Sequence, residues 1–309
     1  MKPRKAIPAT IISGFLGSGK TTLLNRIMQA ETGLRIAVMV NDFGQINIDS
    51  QLVVNNDGEV MKLANGCICC SISDDLVGQL ESMLRQEPAP EYLLIEASGV
   101  SDPGRIARTL NYPAFRGRIA LDAILTLLDA AQFPTLDDEF RQLAMTQLEA
   151  ADIVIINKTD QCSTTELEAI REQWLFPNSR THETVYAEVP LSLIMATGVH
   201  EGCIRGTDAS RDHDDVFEHL SWRSAQRVKL AQLRAIVDDL PVEIYRAKGI
   251  FMTEEMPTTP VVFHQVGSRQ EWARGEPGSL PDESALLLIG RRGSFDRGAL
   301  VAQLDSLLD

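Results

Sequence analysis

Positive charge is in deficit in this sequence of 309 residues. Its 29 lysines and arginines face 43 aspartates and glutamates, a formal charge of −14 at pH 7. A nucleic-acid backbone needs a cationic surface, so a nucleic-acid partner is not expected. Long apolar runs are missing too: none approaches the roughly 18 residues needed to cross a bilayer, and no membrane partner is expected. Internal repeats and low-complexity tracts are absent. Cysteine is sparse and odd in number, five in all, with three of them crowded into Cys67-Ile68-Cys69-Cys70. That distribution fits metal chemistry better than a disulfide framework and suggests a reducing compartment. Met1-Lys2-Pro3-Arg4-Lys5 and the apolar stretch after it have the outline of a signal peptide. The stretch runs into a Gly/Lys/Thr loop without a small-residue cleavage site, so a soluble, cytoplasmic protein is expected.

What is present is globular: 44% hydrophobic and 23% charged residues over a length that suggests roughly two domains. Between 7 and 157, short β-branched runs at 7–13, 35–41, 92–97, 121–128 and 152–157 alternate with helical patterns at 21–30, 74–86, 103–111 and 137–150. This is the layout of a parallel sheet joined by right-handed crossovers and covered by helices on both faces. A helix at 164–174 and a strand at 191–196 are expected to complete a first domain over 1–198. The stretch 199–218 has no periodicity and reads as a linker. A second domain over 219–309 shows strands near 220–224, 243–253, 260–266 and 285–290 between helices at 229–239 and 296–308. Short connections favour antiparallel pairing and a smaller α+β layer.

Gly14-Phe15-Leu16-Gly17-Ser18-Gly19-Lys20-Thr21 matches G-x-x-x-x-G-K-[ST] between an expected strand and an expected helix, the context the motif requires. Glycines let successive N–H groups turn toward phosphate oxygens, and the following helix directs its positive end there. Lys20 supplies a charge to the β- and γ-phosphates and Thr21 a hydroxyl to Mg²⁺. The predicted fold class is therefore α/β, a P-loop NTPase parallel sheet plus a smaller C-terminal α+β domain. Gly14, Gly17, Ser18, Gly19, Lys20, Thr21 and Thr22 are the expected nucleotide contacts.

Asn157-Lys158-Thr159-Asp160 follows an apolar strand, at the end where open α/β sheets bind ligands. A carboxylate there accepts from guanine N1–H and its exocyclic amine, whereas adenine presents an acceptor at N1. Asn157, Lys158 and Asp160 thus point to GTP. The thiols of Cys67, Cys69 and Cys70, deprotonated by a metal, suit Zn²⁺, Co²⁺, Ni²⁺ or Cu⁺. Three neighbouring ligands leave one position open, which suits holding and releasing a metal better than a closed structural site. Asp42, in Asn41-Asp42-Phe43-Gly44-Gln45, either completes that shell, approaches the Mg²⁺ and γ-phosphate region, or forms a turn before Gly44. Glu96 ends a buried strand, where it holds water on Mg²⁺, senses the γ-phosphate, or is an ordinary strand end. Asp129 reads as the cap of a following turn.

Taken in order, GFLGSGKTT, NDFGQINID, NGCICC, LLIEASGVSDP, LLDA and INKTD resemble the CobW-type GTPases, P-loop metallochaperones related to the nickel inserters UreG and HypB. Tyr245-Arg246-Ala247-Lys248-Gly249-Ile250-Phe251 is similar to the signature of that family's C-terminal domain, so the resemblance spans nearly the whole chain. It implies a Mg²⁺-dependent GTPase with Mg²⁺ contacts at Thr21 and Glu96. Its transition metal, zinc first and cobalt or nickel next, would sit at Cys67, Cys69 and Cys70 with Asp42 as a further ligand. Lys20, Thr21, Glu96 and Asp42 are the expected catalytic residues, a client metalloprotein the expected partner, and a homodimer one assembly open to it. Two departures stand out. The family commonly has Asn-Glu-Phe-Gly where this chain has Asp42, one methylene shorter. Many members also carry a dense His tract near the domain junction, whereas His200, His213 and His219 lie scattered here in an acidic, linker-like segment. The rival readings are a P-loop kinase acting on a small molecule and a non-catalytic regulator that binds nucleotide and metal.

Overall fold

The computed structural model describes residues 6–30, 32–40, 72–195 and 217–308. The described chain forms two units, divided after Ile194. The first holds β1 (Ile7–Gly14), α1 (Lys20–Gln29), β2 (Ile36–Val40), α2 (Ile72–Met83), β3 (Tyr92–Glu96), α3 (Pro103–Leu110), β4 (Ile119–Asp129), α4 (Asp138–Glu149), β5 (Ile153–Asn157), α5 (Thr164–Trp174), β6 (Thr181–Glu183) and α6 (Leu191–Ile194). Its six strands pair in parallel in the order β2-β3-β1-β4-β5-β6. The central strands read as unbroken apolar runs because both of their faces are covered: Ile11, Ile12, Leu94, Ile95, Leu125, Ile155 and Ile156 are all fully buried.

The strand order fixes which face each helix takes. The step from β1 to β2 runs one way across the sheet and the later steps run the other. Right-handed crossovers therefore put α1 on one face and α2 to α5 on the opposite one. Packing agrees. Ile7, Ala9 and Ile11 of β1 join Leu80 and Met83 of α2 and Ile106 and Leu110 of α3 in one core cluster. Leu128, Val154 and Ile156 join Ala144, Leu148, Leu167 and Ile170 of α4 and α5. Local signals set the helix starts. Asp102 accepts from Gly104 N at 2.7 Å with Pro103 in the first turn of α3, and Ser163 with Glu166 forms a capping box on α5.

The expected strand at 191–196 is instead the short helix α6, and the sixth strand is β6. Pro190 lies just before α6, and its carbonyl accepts from Leu193 N at 3.0 Å, closing a helical turn where alternating apolar residues suggested extension. The face opposite α2 to α5 carries a buried polar group. Thr10 Oγ1 donates to Ile194 O at 3.0 Å, and the single proton of Tyr92 OH goes to Asp122 Oδ2 at 2.5 Å.

The second unit contains β7 (Phe217–Ser224), α7 (Leu230–Asp238), β8 (Ile244–Phe251), β9 (Val261–Val266), β10 (Arg269–Arg274), β11 (Ser284–Arg291) and α8 (Arg297–Asp305). Its five strands pair antiparallel, in the order β10-β9-β8-β11-β7. Leu233 and Val237 of α7 and Leu300 and Leu304 of α8 cover one sheet face over Ala247, Phe251, Phe263, Leu286 and Leu288. β10 was not expected. Its sequence, Arg-Gln-Glu-Trp-Ala-Arg, is that of an edge strand, whose charged side chains hide the usual apolar alternation.

Candidate functional site

The site assembles at the carboxyl ends of β1, β3, β4 and β5. β1 ends in Gly14, whose φ of 138° and surroundings admit no side chain: a Cβ there would lie 2.2 Å from Leu127 O. Gly17 is at the exposed tip of the loop and Ser18 is fully buried. Gly19, at φ 105°, caps α1, and a Cβ on it would come within 2.4 Å of Asn157 Nδ2. The glycines of the motif thus answer to a curled loop threaded against neighbouring strands.

Lys20 opens α1 and is buried. Its ammonium donates across the loop to Gly14 O at 2.9 Å and Phe15 O at 3.1 Å. Thr21 Oγ1 donates to Glu96 Oε1 at 2.9 Å, so two of the expected magnesium contacts, from α1 and from the end of β3, stand side by side. A hydroxyl and a carboxylate in contact are hard oxygen donors, the type that Mg²⁺ takes, and these residues fit that ion. Thr22 is exposed on the first turn of α1. Asp42, Cys67, Cys69 and Cys70 lie outside the described residues, as does the whole segment between β2 and α2. Among the described residues no group of three or more His, Cys, Asp or Glu is arranged to hold a metal ion.

Asn157 ends β5 almost wholly buried, and both ends of its amide meet main chain. Nδ2 donates to Ser18 O at 2.8 Å and Oδ1 accepts from Ala187 N at 2.9 Å. Lys158, at φ 62°, turns its ammonium to Asp129 Oδ2 at 2.6 Å. Asp129 caps its turn as expected, Oδ1 accepting from Ala131 N and Gln132 N at 3.1 Å each. Asp160 is exposed in a single 3-10 turn, Thr159–Gln161. Nearby, burial pushes the Cys162 thiol above its ordinary value, and the charges of Glu166, Asp129 and Asp160 add to the rise.

Sequence reasoning missed the loop after β6. Tyr186 and Ala187 adopt φ of 52° and 53°, unusual for residues with side chains, and Ala187 is buried beside Asn157. The loop is tied to Thr159, whose N donates to Thr184 O at 3.3 Å, and to α1, whose Arg26 Nε donates to Tyr186 O at 2.9 Å. Nothing in the residue types Val185-Tyr186-Ala187 signals this backbone.

A curled glycine loop at the mouth of a helix, next to a strand-end carboxylate in an open parallel sheet, is built to hold the phosphates of a nucleotide, and the chain is on this ground a P-loop nucleotide-binding protein. Comparison with known proteins narrows the class. The profile of the CobW/HypB/UreG nucleotide-binding domain matches residues 8–184, more than half of the chain, and the profile of the cobalamin synthesis protein CobW C-terminal domain matches 217–308. The chain belongs to the CobW/HypB/UreG family. Among its relatives, the zinc chaperone CobW of a Sinorhizobium species is 26% identical over 98% of this chain and 97% of its own length. The zinc-regulated GTPase metalloprotein activator 1 of Dictyostelium discoideum is 32% identical over 81% of this chain and 58% of its own length. A similar solved structure, the Zn(II)-bound YjiA GTPase from E. coli, is 24% identical with a TM-score of 0.47, covering 99% of this chain and 100% of that one. Among the described residues no helix is long and apolar enough to cross a membrane.

Proposed function

We propose that this protein is a GTP-hydrolysing metallochaperone of the cytoplasm that binds a transition metal, zinc first, at Cys67, Cys69 and Cys70 and delivers it to a client metalloprotein. Residues 1–198 carry the GTPase chemistry and residues 219–309 the C-terminal domain. Family membership and the names of its relatives support the reading, and one observation carries the enzymatic part: the Thr21–Glu96 hydrogen bond of 2.9 Å beside the Lys20 cradle.

Hydrolysis is an in-line displacement. A water oxygen bonds to the γ-phosphorus, the bond to the β-γ bridging oxygen breaks, and GDP and phosphate leave. The loop N–H groups and the α1 N-terminus orient the phosphates. Lys20 exchanges its loop carbonyls for phosphate oxygens and offsets the charge gathering on the leaving oxygen. Mg²⁺, held at Thr21 and Glu96, supplies further charge neutralisation when bound. Asp160 reads the guanine edge, while Asn157 keeps the phosphate loop and the loop after β6 in register beneath it. Asp42 lies on the stretch between β2 and the thiols, through which the γ-phosphate influences the metal.

Coupling of this kind is reciprocal: if GTP tightens zinc binding, zinc tightens GTP binding by the same factor. The test is a competition zinc titration of reduced protein with GTP and with GDP. Different zinc dissociation constants are expected, together with GTP preferred over ATP; equal constants would remove the coupled-delivery idea. Cys69→Ser is expected to weaken zinc while leaving GTP binding intact, and unchanged zinc affinity would count against the thiol site.

A further inference from the structure

Gln147, in the last turns of α4, is fully buried, and the proposed chemistry leaves it without a task. Its Nε2 donates twice, to Gly99 O at 3.1 Å and to Ser101 O at 3.0 Å. Both carbonyls belong to the loop between β3 and α3, which follows directly on Glu96. Because both neighbours are carbonyl oxygens, the amide has one sensible orientation, NH2 toward the loop. Its Oε1 is then left buried with no hydrogen-bond partner among the described residues. It belongs to the lining of a small cavity shared with Phe15, Thr126 and Gln132. A side chain serving stability alone would be better apolar than half satisfied. What distinguishes an amide here is the pair of donors it offers the loop.

The loop is also pressed against the P-loop. A Cβ on Gly99 would lie 2.5 Å from Leu16 Cδ2 and 2.9 Å from Leu16 N, so Gly99 and the rim of the phosphate cradle are in direct contact. Three attachments therefore fix one short segment: Glu96 to Thr21, Gly99 to Leu16, and Gly99 with Ser101 to Gln147. α4 is further anchored by Thr126 Oγ1 donating to the Gln147 carbonyl at 3.0 Å, and its opposite face reaches solvent at Gln142 and Glu149.

We infer that Gln147 is a positioning residue for hydrolysis: through Gly99 and Ser101 it holds the loop that sets Glu96 against Thr21, linking the α4 surface to the nucleotide's terminal phosphate. The inference rests on the GTPase reading above. Gln147 is fully buried and spends its donors on the loop carbonyls, so its loss should leave GDP affinity alone and fall on turnover.

The experiment compares full-length parent, Gln147→Met and Thr126→Val. Met keeps the length and removes both donors to the loop. Val removes the Thr126 bond to the same turn of α4 without touching the loop. Steady-state GTP turnover and the Kd of a fluorescent GDP are measured for each. Gln147→Met is expected to lose about tenfold or more in kcat, in the range small misplacements cost, with GDP Kd within about threefold of the parent. Thr126→Val is expected to be less stable yet turn over within about twofold of the parent. Should the Met variant not fold, Gln147→Asn, an amide one methylene shorter, is expected to show an intermediate loss. An amide-free or shortened variant with parental kcat overturns the inference, as does an equal kcat loss in Thr126→Val. A parent that turns over no GTP overturns the proposed function, and this inference with it.

Discussion

The side-chain amide of Asn157 donates to the main-chain carbonyl of Ser18 at 2.8 Å, tying the end of β5 to the middle of the phosphate loop. Its other end takes the N–H of Ala187 at 2.9 Å. Asn157→Ala leaves two buried main-chain groups without these partners, an expected loss of about 2–4 kcal/mol in unfolding free energy. Urea denaturation should show a lower midpoint at unchanged slope, and GDP and GTP affinities should fall together. Loss of GTP affinity alone would argue that Asn157 acts on the γ-phosphate side instead.

Gly99 and Leu16 give a second prediction. Gly99→Ala forces a methyl group against both the side chain and the main-chain nitrogen of Leu16. Nucleotide affinity should fall, and adding Leu16→Ala should restore it in part, since only the side-chain half of the clash is relieved. A double-mutant cycle on fluorescent nucleotide binding reads the coupling; strict additivity would show that the two loops do not communicate there.

The Lys158–Asp129 pair, at 2.6 Å, is sheltered on the aspartate side, whose side chain is 9% exposed against 32% for the lysine. Lys158→Ala removes a charged partner from a nearly buried carboxylate and should cost about 1.5–3 kcal/mol. Asp129→Asn should be milder, because a carbonyl oxygen remains to accept from Ala131 and Gln132. Denaturation in low and high salt checks this, with only a weak salt effect expected for so sheltered a pair.

Magnesium dependence tests the Thr21–Glu96 contact. Glu96→Gln keeps the shape and removes the charge, so the Mg²⁺ concentration giving half-maximal GTP turnover should rise about 10–100-fold, the range seen when groups around a metal are altered. An unchanged requirement would mean that Glu96 serves the strand end alone.

Acid stability carries a further prediction. Hydrogen bonds from the Ser163 backbone and side chain hold the Glu166 carboxyl below its ordinary value of 4.5. A depressed folded-state value means that the cap's contribution is fully present above about pH 4.5 and is lost as pH falls through the lower, folded value. Thermal melts of the parent and Glu166→Gln between pH 6 and 3 should therefore differ most at the upper end and converge at the lower, where the parent carboxyl is neutral as well. A gap that widens with acid would reverse the assignment.

Much of this site could be read from residue types. The P-loop declared itself because curled backbone and phosphate chemistry both demand glycine followed by Lys20-Thr21, and the apolar runs of β1, β3, β4 and β5 announced a sheet covered on both faces. The resemblance to the CobW-type GTPases named Thr21 and Glu96 together, and the fold sets them in contact because β3 lies beside β1. What stayed hidden depends on the backbone or on distant partners. Tyr186 and Ala187 take left-handed conformations that their side chains do not advertise. Gln147 looks like an ordinary helix residue until the fold sets it under Gly99. α6 was misread because four apolar-rich residues carry no reliable period, and β10 because an edge strand has little apolar alternation to show.

Lys20 has one more implication. An ammonium held by Gly14 O and Phe15 O keeps the cradle in shape on its own. A side chain ordered in advance loses less conformational freedom when an anion meets it, so the loop's own carbonyls prepare the cation for its task.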